Sequence, residues 1–131
     1  MVLQKEFWNI AEKTVQSDDI LIRNNRDPLF GYSREGLIDL FKQMLSGRVQ
    51  KAYFFGSFTG NTFGPDSDID LLLVTDTDKP FVERPADFHD LLSIIPSMDI
   101  LVYTPEEFKK LTKKPSAGFW QEVTATMKRF V

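Results

Sequence analysis

Apolar residues recur along the chain at two different spacings, which separate predicted helices from predicted strands. An apolar residue every three or four positions predicts helices over 3–16, 37–45, 85–95 and 119–130. Short, almost continuous apolar runs predict strands over 49–55, 68–75 and 98–103. This order of elements predicts an α/β (α+β) fold in which helices flank a small mixed β-sheet.

Local signals predict where several of these elements begin and end. Ser33 suits the N-cap of the second helix, and Ser46-Gly47 suits its end. Thr104, Pro105 and the two glutamates that follow predict the start of a further helix, which would run to residue 112. Residues 18–32 are rich in Asp, Asn and Gly, which is typical of a loop. We therefore expect an N-terminal helical arm and loop over 1–32 and a compact domain over 33–131.

Composition limits the classes of protein that fit. The chain has 131 residues, of which 42% are apolar, so it can bury one substantial core. It has no cysteine, which excludes disulfides, thiolate zinc sites and cysteine nucleophiles. No apolar run reaches the roughly 20 residues needed to cross a bilayer, and no leader pattern is present at the N-terminus. We expect a cytoplasmic protein without a membrane partner, and the net charge of −3 argues against nonspecific binding to nucleic acid.

Acidic residues interrupt two of the predicted strands. Asp68 and Asp70 are one residue apart, so their side chains would share one face of a strand, with Cα atoms roughly 7 Å apart. Two like charges on a mostly apolar strand are costly to desolvate unless a cation lies between them. Asp99 lies near the start of the next strand and would join them if the two strands are neighbours. Three carboxylates suit magnesium, and a pair of such ions can assist phosphoryl-type transfer.

Each candidate also has a simpler structural interpretation. Asp68 ends a Pro-Asp-Ser-Asp sequence that is typical of a surface turn, and Gly56-Ser57 by itself would be an ordinary turn. Asp70 and Asp99, in contrast, lie within apolar runs, where turn formation does not explain them. Because Gly56-Ser57 follows the first strand and can present backbone N–H groups to an anion, its combination with the three acids favours a functional site.

The other reactive and aromatic residues are predicted to be structural or solvated. His89 is the only histidine and is expected on the exposed face of a helix. Basic side chains are available for phosphate contacts, but solvated charge is the simpler interpretation of Lys79, Arg84, Lys109 and Lys110. Aromatic residues around the Gly-Ser pair are expected in the core or in the lining of a base pocket; they are Phe54, Phe55, Phe58 and Phe63.

Gly56-Ser57, an interval of ten residues, Asp68-Ile69-Asp70 and the later Asp99 resemble the signature of the DNA polymerase β-type nucleotidyltransferase superfamily, in particular its minimal nucleotidyltransferase branch. The resemblance runs from about Val49 to the end of the chain, and it implies a nucleotidyltransferase fold for the domain expected over 33–131. It also implies a magnesium-dependent enzyme, with two ions, that transfers a nucleoside monophosphate from a triphosphate to a hydroxyl and releases pyrophosphate. By resemblance, Gly56 and Ser57 hold the triphosphate, Asp68 and Asp70 bind both metals, and Asp99 binds the catalytic metal and helps to activate the acceptor.

The resemblance also implies classes of partner. Relatives of this size often act on a protein, notably as antitoxins that adenylylate a helical HEPN toxin with ATP as donor, whereas others modify small molecules such as aminoglycosides. A protein partner is favoured here, because the chain carries no second domain for a large acceptor.

One departure from the family pattern supports a different hypothesis. Many relatives carry an Arg-Gly pair where this chain has Gly60-Asn61, so a basic phosphate contact is missing. The alternative is a catalytically weak or inactive module that binds nucleotide or docks a partner. A nucleic-acid polymerase is not expected, because the chain lacks a basic template-binding surface.

Overall fold

The computed structural model of the protein describes residues 27–113 and 118–131. In order, the elements in these ranges are helix α1 (Arg34–Leu45), strand β1 (Lys51–Phe55), a 3-10 helix (Gly56–Thr59), β2 (Ile69–Val74), a second 3-10 helix (Phe81–Phe88), α2 (His89–Leu92), β3 (Met98–Tyr103), α3 (Pro105–Thr112), α4 (Gly118–Thr126) and β4 (Lys128–Arg129). The helix predicted over 3–16 lies outside the described residues. The predicted boundary between 1–32 and 33–131 stays a prediction.

The strands form one mixed sheet in the order β3-β2-β1-β4. β1 runs antiparallel to both β2 and β4, whereas β2 and β3 run parallel. The second 3-10 helix and α2 provide the crossover that a parallel pair requires. The predicted fold class is therefore confirmed, and β2 and β3 are direct neighbours. None of the helices within 27–113 and 118–131 has the length and apolar character to cross a membrane.

Each face of the sheet is covered by its own apolar cluster. α1 covers one face, where its residues Leu37, Phe41 and Leu45 are fully buried. Phe108 of α3 and Val123 of α4 pack on the opposite face, against Tyr53, Phe55, Leu72 and Val74. Side chains alternate along a strand, so the even-numbered positions of β2 face α3 and α4. Asp70 continues that even-numbered series at the start of β2, which places it on the face covered by α3 and α4.

The N-cap residues predicted for α1 and α3, Ser33 and Thr104, are confirmed. The Ser33 hydroxyl accepts a hydrogen bond from the Gly36 amide at 2.9 Å. At α3, the Thr104 hydroxyl accepts from the Glu107 amide at 3.2 Å, and the Glu107 carboxylate accepts from the Thr104 amide at 2.9 Å. These reciprocal bonds satisfy two backbone N–H groups that a helix start otherwise leaves without partners.

The single α-helix predicted over 85–95 is wrong. Residues Phe81–Phe88 instead form a 3-10 helix, and only His89–Leu92 are α-helical. The 3-10 segment begins before the predicted start, where the Glu83 amide donates to the Pro80 carbonyl at 2.9 Å. The tighter 3-10 turn directs the Arg84 side chain inward. The spacing of apolar residues in this segment did not predict a buried cation.

The helix predicted over 119–130 ends early, at Thr126, and the chain then pairs with β1 as β4. The Phe130 amide donates to the Ala52 carbonyl at 2.9 Å. The Phe130 ring stacks on Phe54 with centroids 4.4 Å apart, on the side of the sheet that α1 covers. Phe130 fits a helical stripe in the sequence equally well, so a long-range strand pairing decided its structure.

Arg84 is buried rather than solvated, which corrects the sequence-based interpretation. Its guanidinium donates to the Val102 carbonyl at 3.1 Å and to the Lys79 carbonyl at 2.9 Å. It also forms two bonds with the Glu107 carboxylate, at 2.7 and 3.2 Å. With the Arg84 guanidinium as the main cause, the pKa of Glu107 falls to about 2. One side chain thus ties the crossover to β3 and to the start of α3.

We expect Arg84→Met to lower the free energy of unfolding by about 2 kcal/mol, the scale of a lost charge-assisted hydrogen bond. Because folding lowers the pKa of Glu107, the stability gained from this pair is present above about pH 4.5 and is lost as the pH falls toward 2. Urea denaturation across that pH range should show a smaller pH dependence in the variant than in the wild type.

Lys79→Met is the matched control, because Lys79 and Asp87 form an exposed ion pair at 2.6 Å. It should leave both the stability and its acid pH dependence close to those of the wild type. Equal effects of the two substitutions would contradict a special role for the Arg84–Glu107 pair.

Candidate functional site

The turn after β1 depends on a glycine at position 56. Gly56 has a φ of +73°, a backbone conformation that L side chains rarely adopt. A Cβ atom at this position would lie 2.5 Å from Asp70 Oδ2, well inside van der Waals contact. The absence of a side chain at Gly56 therefore lets the Asp70 carboxylate lie directly against the turn.

Two hydroxyl groups hold the backbone of Gly56 on either side. The Gly56 amide donates to Thr126 Oγ1 at 3.0 Å, and Thr59 Oγ1 donates to the Gly56 carbonyl at 2.9 Å. Ser57 is half-buried, and its carbonyl accepts from the Gly60 amide at 3.1 Å. The amide of Gly56 is thus already bonded within the protein, and the contribution of this residue to the site is its lack of a side chain.

Sheet register brings two of the three predicted carboxylates together. Asp70 of β2 is the direct partner of Asp99 of β3 in the parallel ladder, where neighbouring strands lie about 4.8 Å apart. Asp68 immediately precedes β2 and is exposed. The Ile69 amide donates to the Ser97 carbonyl at 3.2 Å, so the starts of β2 and β3 are tied at the same end of the sheet. Asp68, Asp70 and Asp99 all lie at this end.

The charge of Asp70 is poorly compensated in the protein alone. Its pKa is raised to about 6, first by burial and then by the negative charges of Asp99, Asp68 and Glu122. Across residues 27–113 and 118–131, no three His, Cys, Asp or Glu side chains are arranged as a ready-made metal cage. The assignment of the three aspartates as metal ligands stays a prediction.

Helix α4 adds residues that the sequence interpretation missed. A cleft of about 110 Å³ lies between α4 and the end of β1, and its lining consists of Phe55, Gly56, Asp70, Phe119, Glu122 and Val123. Phe119 is the first apolar residue of the helix predicted over 119–130, which implies burial, but its side chain is half-exposed at the cleft. The available signal was the spacing of Phe119 and Glu122, which are three apart and so share one face of a helix.

A larger cavity, of about 320 Å³, opens at the opposite end of β2 and lacks these acids. It is lined by Arg48, Thr75, Asp76, Thr77, Arg84, Asp87, Phe88 and Val102. Its two arginines are engaged within the protein, Arg48 with Asp90 at 2.8 Å and Arg84 with Glu107 at 2.7 Å. The cleft beside Asp70 is therefore the better candidate for chemistry.

The remaining sequence-based assignments are largely confirmed. His89 is exposed, as are Lys79, Lys109 and Lys110. Phe54, Phe55 and Phe58 are buried, so the aromatic residues near the turn belong mainly to the core. The Gly60-Asn61 pair is exposed. Arg34 of α1 approaches the turn from the other side of the sheet, where it donates to the Phe58 carbonyl and lies over the Phe58 ring.

Paired carboxylates beside a glycine-dependent turn define a candidate site for a phosphorylated substrate. Residues 34–127 match the sequence profile of the nucleotidyltransferase domain family. This match spans more than half of the chain, and the protein therefore belongs to that family, whose general activity is nucleotidyl transfer.

Other comparisons add less. The chain is 20% identical to a solved structure of a putative nucleotidyltransferase from Sulfolobus solfataricus, with a TM-score of 0.45. The aligned region covers 59% of this chain and 75% of that chain. At that similarity, family membership rests on the match over 34–127. No curated protein sequence matches the chain significantly.

We expect Gly56→Ala to destabilise the protein more than Gly47→Ala does. Both glycines have positive φ, so both substitutions carry a backbone cost of roughly 1–2 kcal/mol. A Cβ at Gly47 meets nothing within 4 Å, whereas one at Gly56 collides with Asp70. The extra loss at Gly56 should be at least about 1 kcal/mol, the scale of overpacking a tight contact. Chemical denaturation of both variants measures the difference.

Removing the Asp70 carboxylate tests the cause of that difference. In an Asp70→Ala background, the cost of Gly56→Ala should fall to that of Gly47→Ala, because Oδ2 is the atom with which the new methyl collides. An unchanged cost in that background would show that the contact with Asp70 does not explain the requirement for glycine.

The raised pKa of Asp70 predicts a pH-dependent stability in metal-free protein. Because folding raises this pKa from about 3.8 to about 6, the contribution of Asp70 favours the folded state at low pH and is lost as the pH rises through 6. Between about pH 4 and 7 the wild type should therefore lose stability relative to Asp70→Asn. Denaturation with a chelator present gives this comparison, and carboxyl NMR of Asp70 gives the pKa directly. Titration of Asp70 near 3.8 would contradict the prediction.

Proposed function

We propose that this protein is a magnesium-dependent nucleotidyltransferase that transfers a nucleoside monophosphate from a nucleoside triphosphate to a hydroxyl group and releases pyrophosphate. The observation that carries the proposal is the contact between the Gly56 turn and the Asp70 carboxylate, which is itself in register with Asp99. The turn that would bind the phosphates and the acids that would hold a metal lie at one end of the sheet.

The donor chemistry of the site fits magnesium. Asp68, Asp70 and Asp99 offer only hard oxygen ligands, which this ion prefers. The pKa of Asp70 is raised first by burial and then by the negative charges of Asp99, Asp68 and Glu122, and a divalent cation would compensate those charges. Two magnesium ions, held by Asp68 and Asp70 with Asp99 on one of them, would neutralise phosphate charge and polarise the acceptor oxygen when bound.

The chain's own residues supply positioning and a proton acceptor. Ser57, in the turn that Gly56 makes possible, would hold the triphosphate at the end of β1, close to the acids. Asp99 is exposed at the start of β3, and in this proposal it would help to activate the acceptor hydroxyl by taking its proton. In the overall reaction a bond forms between the acceptor oxygen and the α-phosphorus. The bond from that phosphorus to the bridging oxygen breaks, and pyrophosphate leaves with the electron pair.

For the acceptor, we propose a hydroxyl on a protein partner, with ATP as the donor. The family resemblance of the sequence supports this choice and suggests a helical HEPN-type toxin, for which the protein would serve as an adenylylating antitoxin. Exposure of Asp68, Asp99 and Glu122 supports an acceptor of this size, within the residues that the structure describes.

A second candidate is a nucleotide-binding, partner-docking module with little or no turnover. The Gly60-Asn61 pair favours it, because an arginine that many relatives use for phosphate is missing there. Arg34 reaches the same turn, but its guanidinium is engaged with the Phe58 carbonyl on the α1 side. Both candidates would bind nucleotide, but only the transferase would move the nucleoside monophosphate to an acceptor.

We expect Asp70→Asn to lower the rate of transfer from α-³²P-labelled ATP to a HEPN-type partner by at least about 10²-fold, the scale for losing one preorganised electrostatic group. Asp39→Asn is the matched control, because Asp39 is an exposed acid on α1 and its substitution should leave the rate unchanged. Transfer by Asp70→Asn at the wild-type rate would refute the metal assignment. Nucleotide binding by the wild type without transfer to any partner would favour the docking module.

A further inference from the structure

Phe119 is a large apolar residue that stays half-exposed beside the candidate active site. Its side chain is 50% exposed, although it lines the same cleft as Gly56 and Asp70. Its place next to the phosphate turn, rather than elsewhere on the surface, is what calls for an explanation.

The ring is held in place by two other aromatic side chains. Phe55 meets it at 6.0 Å between centroids and an interplanar angle of 89°, and Trp120 meets it at 5.5 Å and 87°. Both contacts are edge-to-face, which fixes the ring plane. Among the described residues, no aromatic ring stacks in parallel on Phe119. The ring is therefore preorganised, and within the part of the chain that the structure describes its face is available to a parallel stacking partner.

The chemistry of the cleft selects the part of the substrate that such a partner could be. Asp70 and Glu122 make one side of it negative, which disfavours bare phosphate, whereas Phe55, Phe119 and Val123 make the other side apolar. The base of a nucleoside triphosphate is planar and uncharged, and stacking of a base on an aromatic residue contributes about 1–3 kcal/mol in other proteins. With the phosphates at Gly56-Ser57, the base is the substrate group that can reach an aromatic residue in the same cleft.

We propose that Phe119 is the stacking platform for the nucleobase of the triphosphate, with Phe55 and Trp120 fixing its orientation. This inference rests on the proposed function, because it assumes that the phosphates bind at the Gly56 turn. The platform would read the flat face of a base rather than its hydrogen-bonding edge, so it would bind nucleotides in preference to polyphosphate.

The test measures binding rather than turnover, with two magnesium-loaded ligands that differ in the base. One is α,β-methylene-ATP, whose α–β linkage cannot be cleaved, and the other is inorganic tripolyphosphate, which has no nucleoside. By calorimetry, Phe119→Leu should weaken binding of the nucleotide roughly 5- to 50-fold and leave binding of tripolyphosphate unchanged. Phe119→Tyr keeps the π face and should retain nucleotide affinity within about twofold.

Phe81→Leu provides a matched control on the same protein. Phe81 is 41% exposed and also packs against another aromatic residue, Tyr103, at 5.1 Å, but it is absent from the lining of the cleft. Its substitution should leave the affinity for both ligands unchanged. Thermal denaturation of each variant verifies that it is folded before binding is compared.

The possible outcomes separate this inference from the function on which it rests. Equal losses for both ligands in Phe119→Leu would mean that Phe119 only supports the turn, and unchanged nucleotide binding would mean that the base lies elsewhere; either result overturns the platform. Wild-type protein that binds tripolyphosphate as tightly as the nucleotide also overturns it, while the phosphate site stands. Wild-type protein that binds neither ligand overturns the proposed function itself.

Discussion

The contact between Gly56 and Asp70 is the constraint on which the candidate site depends. The turn at the end of β1 and the first acid within β2 occupy space that admits no Cβ, with 2.5 Å between an ideal Cβ position and Asp70 Oδ2. The β1–β2 register opposes Phe55 to Asp70, and the β2–β3 register sets Asp70 beside Asp99. A shift of one residue in either register would turn the acid toward α1 or separate it from its partner. Strand pairing and the glycine thus specify the same arrangement independently.

Structural features that depend only on residues close together in the sequence were predictable. β3 was predicted with the bounds that it has, because a short, almost continuous apolar run lies between clear breaks in the sequence. The starts of α1 and α3 followed from Ser33 and Thr104, whose hydroxyls satisfy backbone groups only three residues away. The meeting of Asp70 and Asp99 was predicted only conditionally, since a single sequence does not state which strands are neighbours. Local patterns therefore identified the acids, and the sheet topology joined them.

Features that depend on distant partners were missed. The sequence predicts a solvated cation at Arg84. Its hydrogen-bond acceptors belong to Val102 of β3 and Glu107 of α3, eighteen and twenty-three residues away, so local sequence does not indicate its burial. Thr126 reads as an ordinary helix residue, yet its hydroxyl accepts from Gly56 seventy residues earlier in the chain. The sequence predicts helix where β4 lies, because Phe130 fits both the helical spacing and the strand spacing of apolar residues. Only the pairing of β4 with β1 decides between the two. In each case the deciding energy comes from a contact across the fold, which no window of sequence contains.

The same constraint that builds the site also makes it electrostatically costly. Holding Asp70 against Gly56 partly buries its carboxylate, and the register adds the charge of Asp99, so the pKa of Asp70 rises to about 6. A cation bound there would remove repulsion that exists only in the folded chain, so its binding energy would add directly to the stability of the fold. Thr126 and Thr59 fix the backbone of Gly56, which keeps the turn against the Asp70 carboxylate. Because the turn is fixed, Asp70 keeps this unfavourable charge in the folded protein, and the magnesium proposed above would bind in part by compensating it.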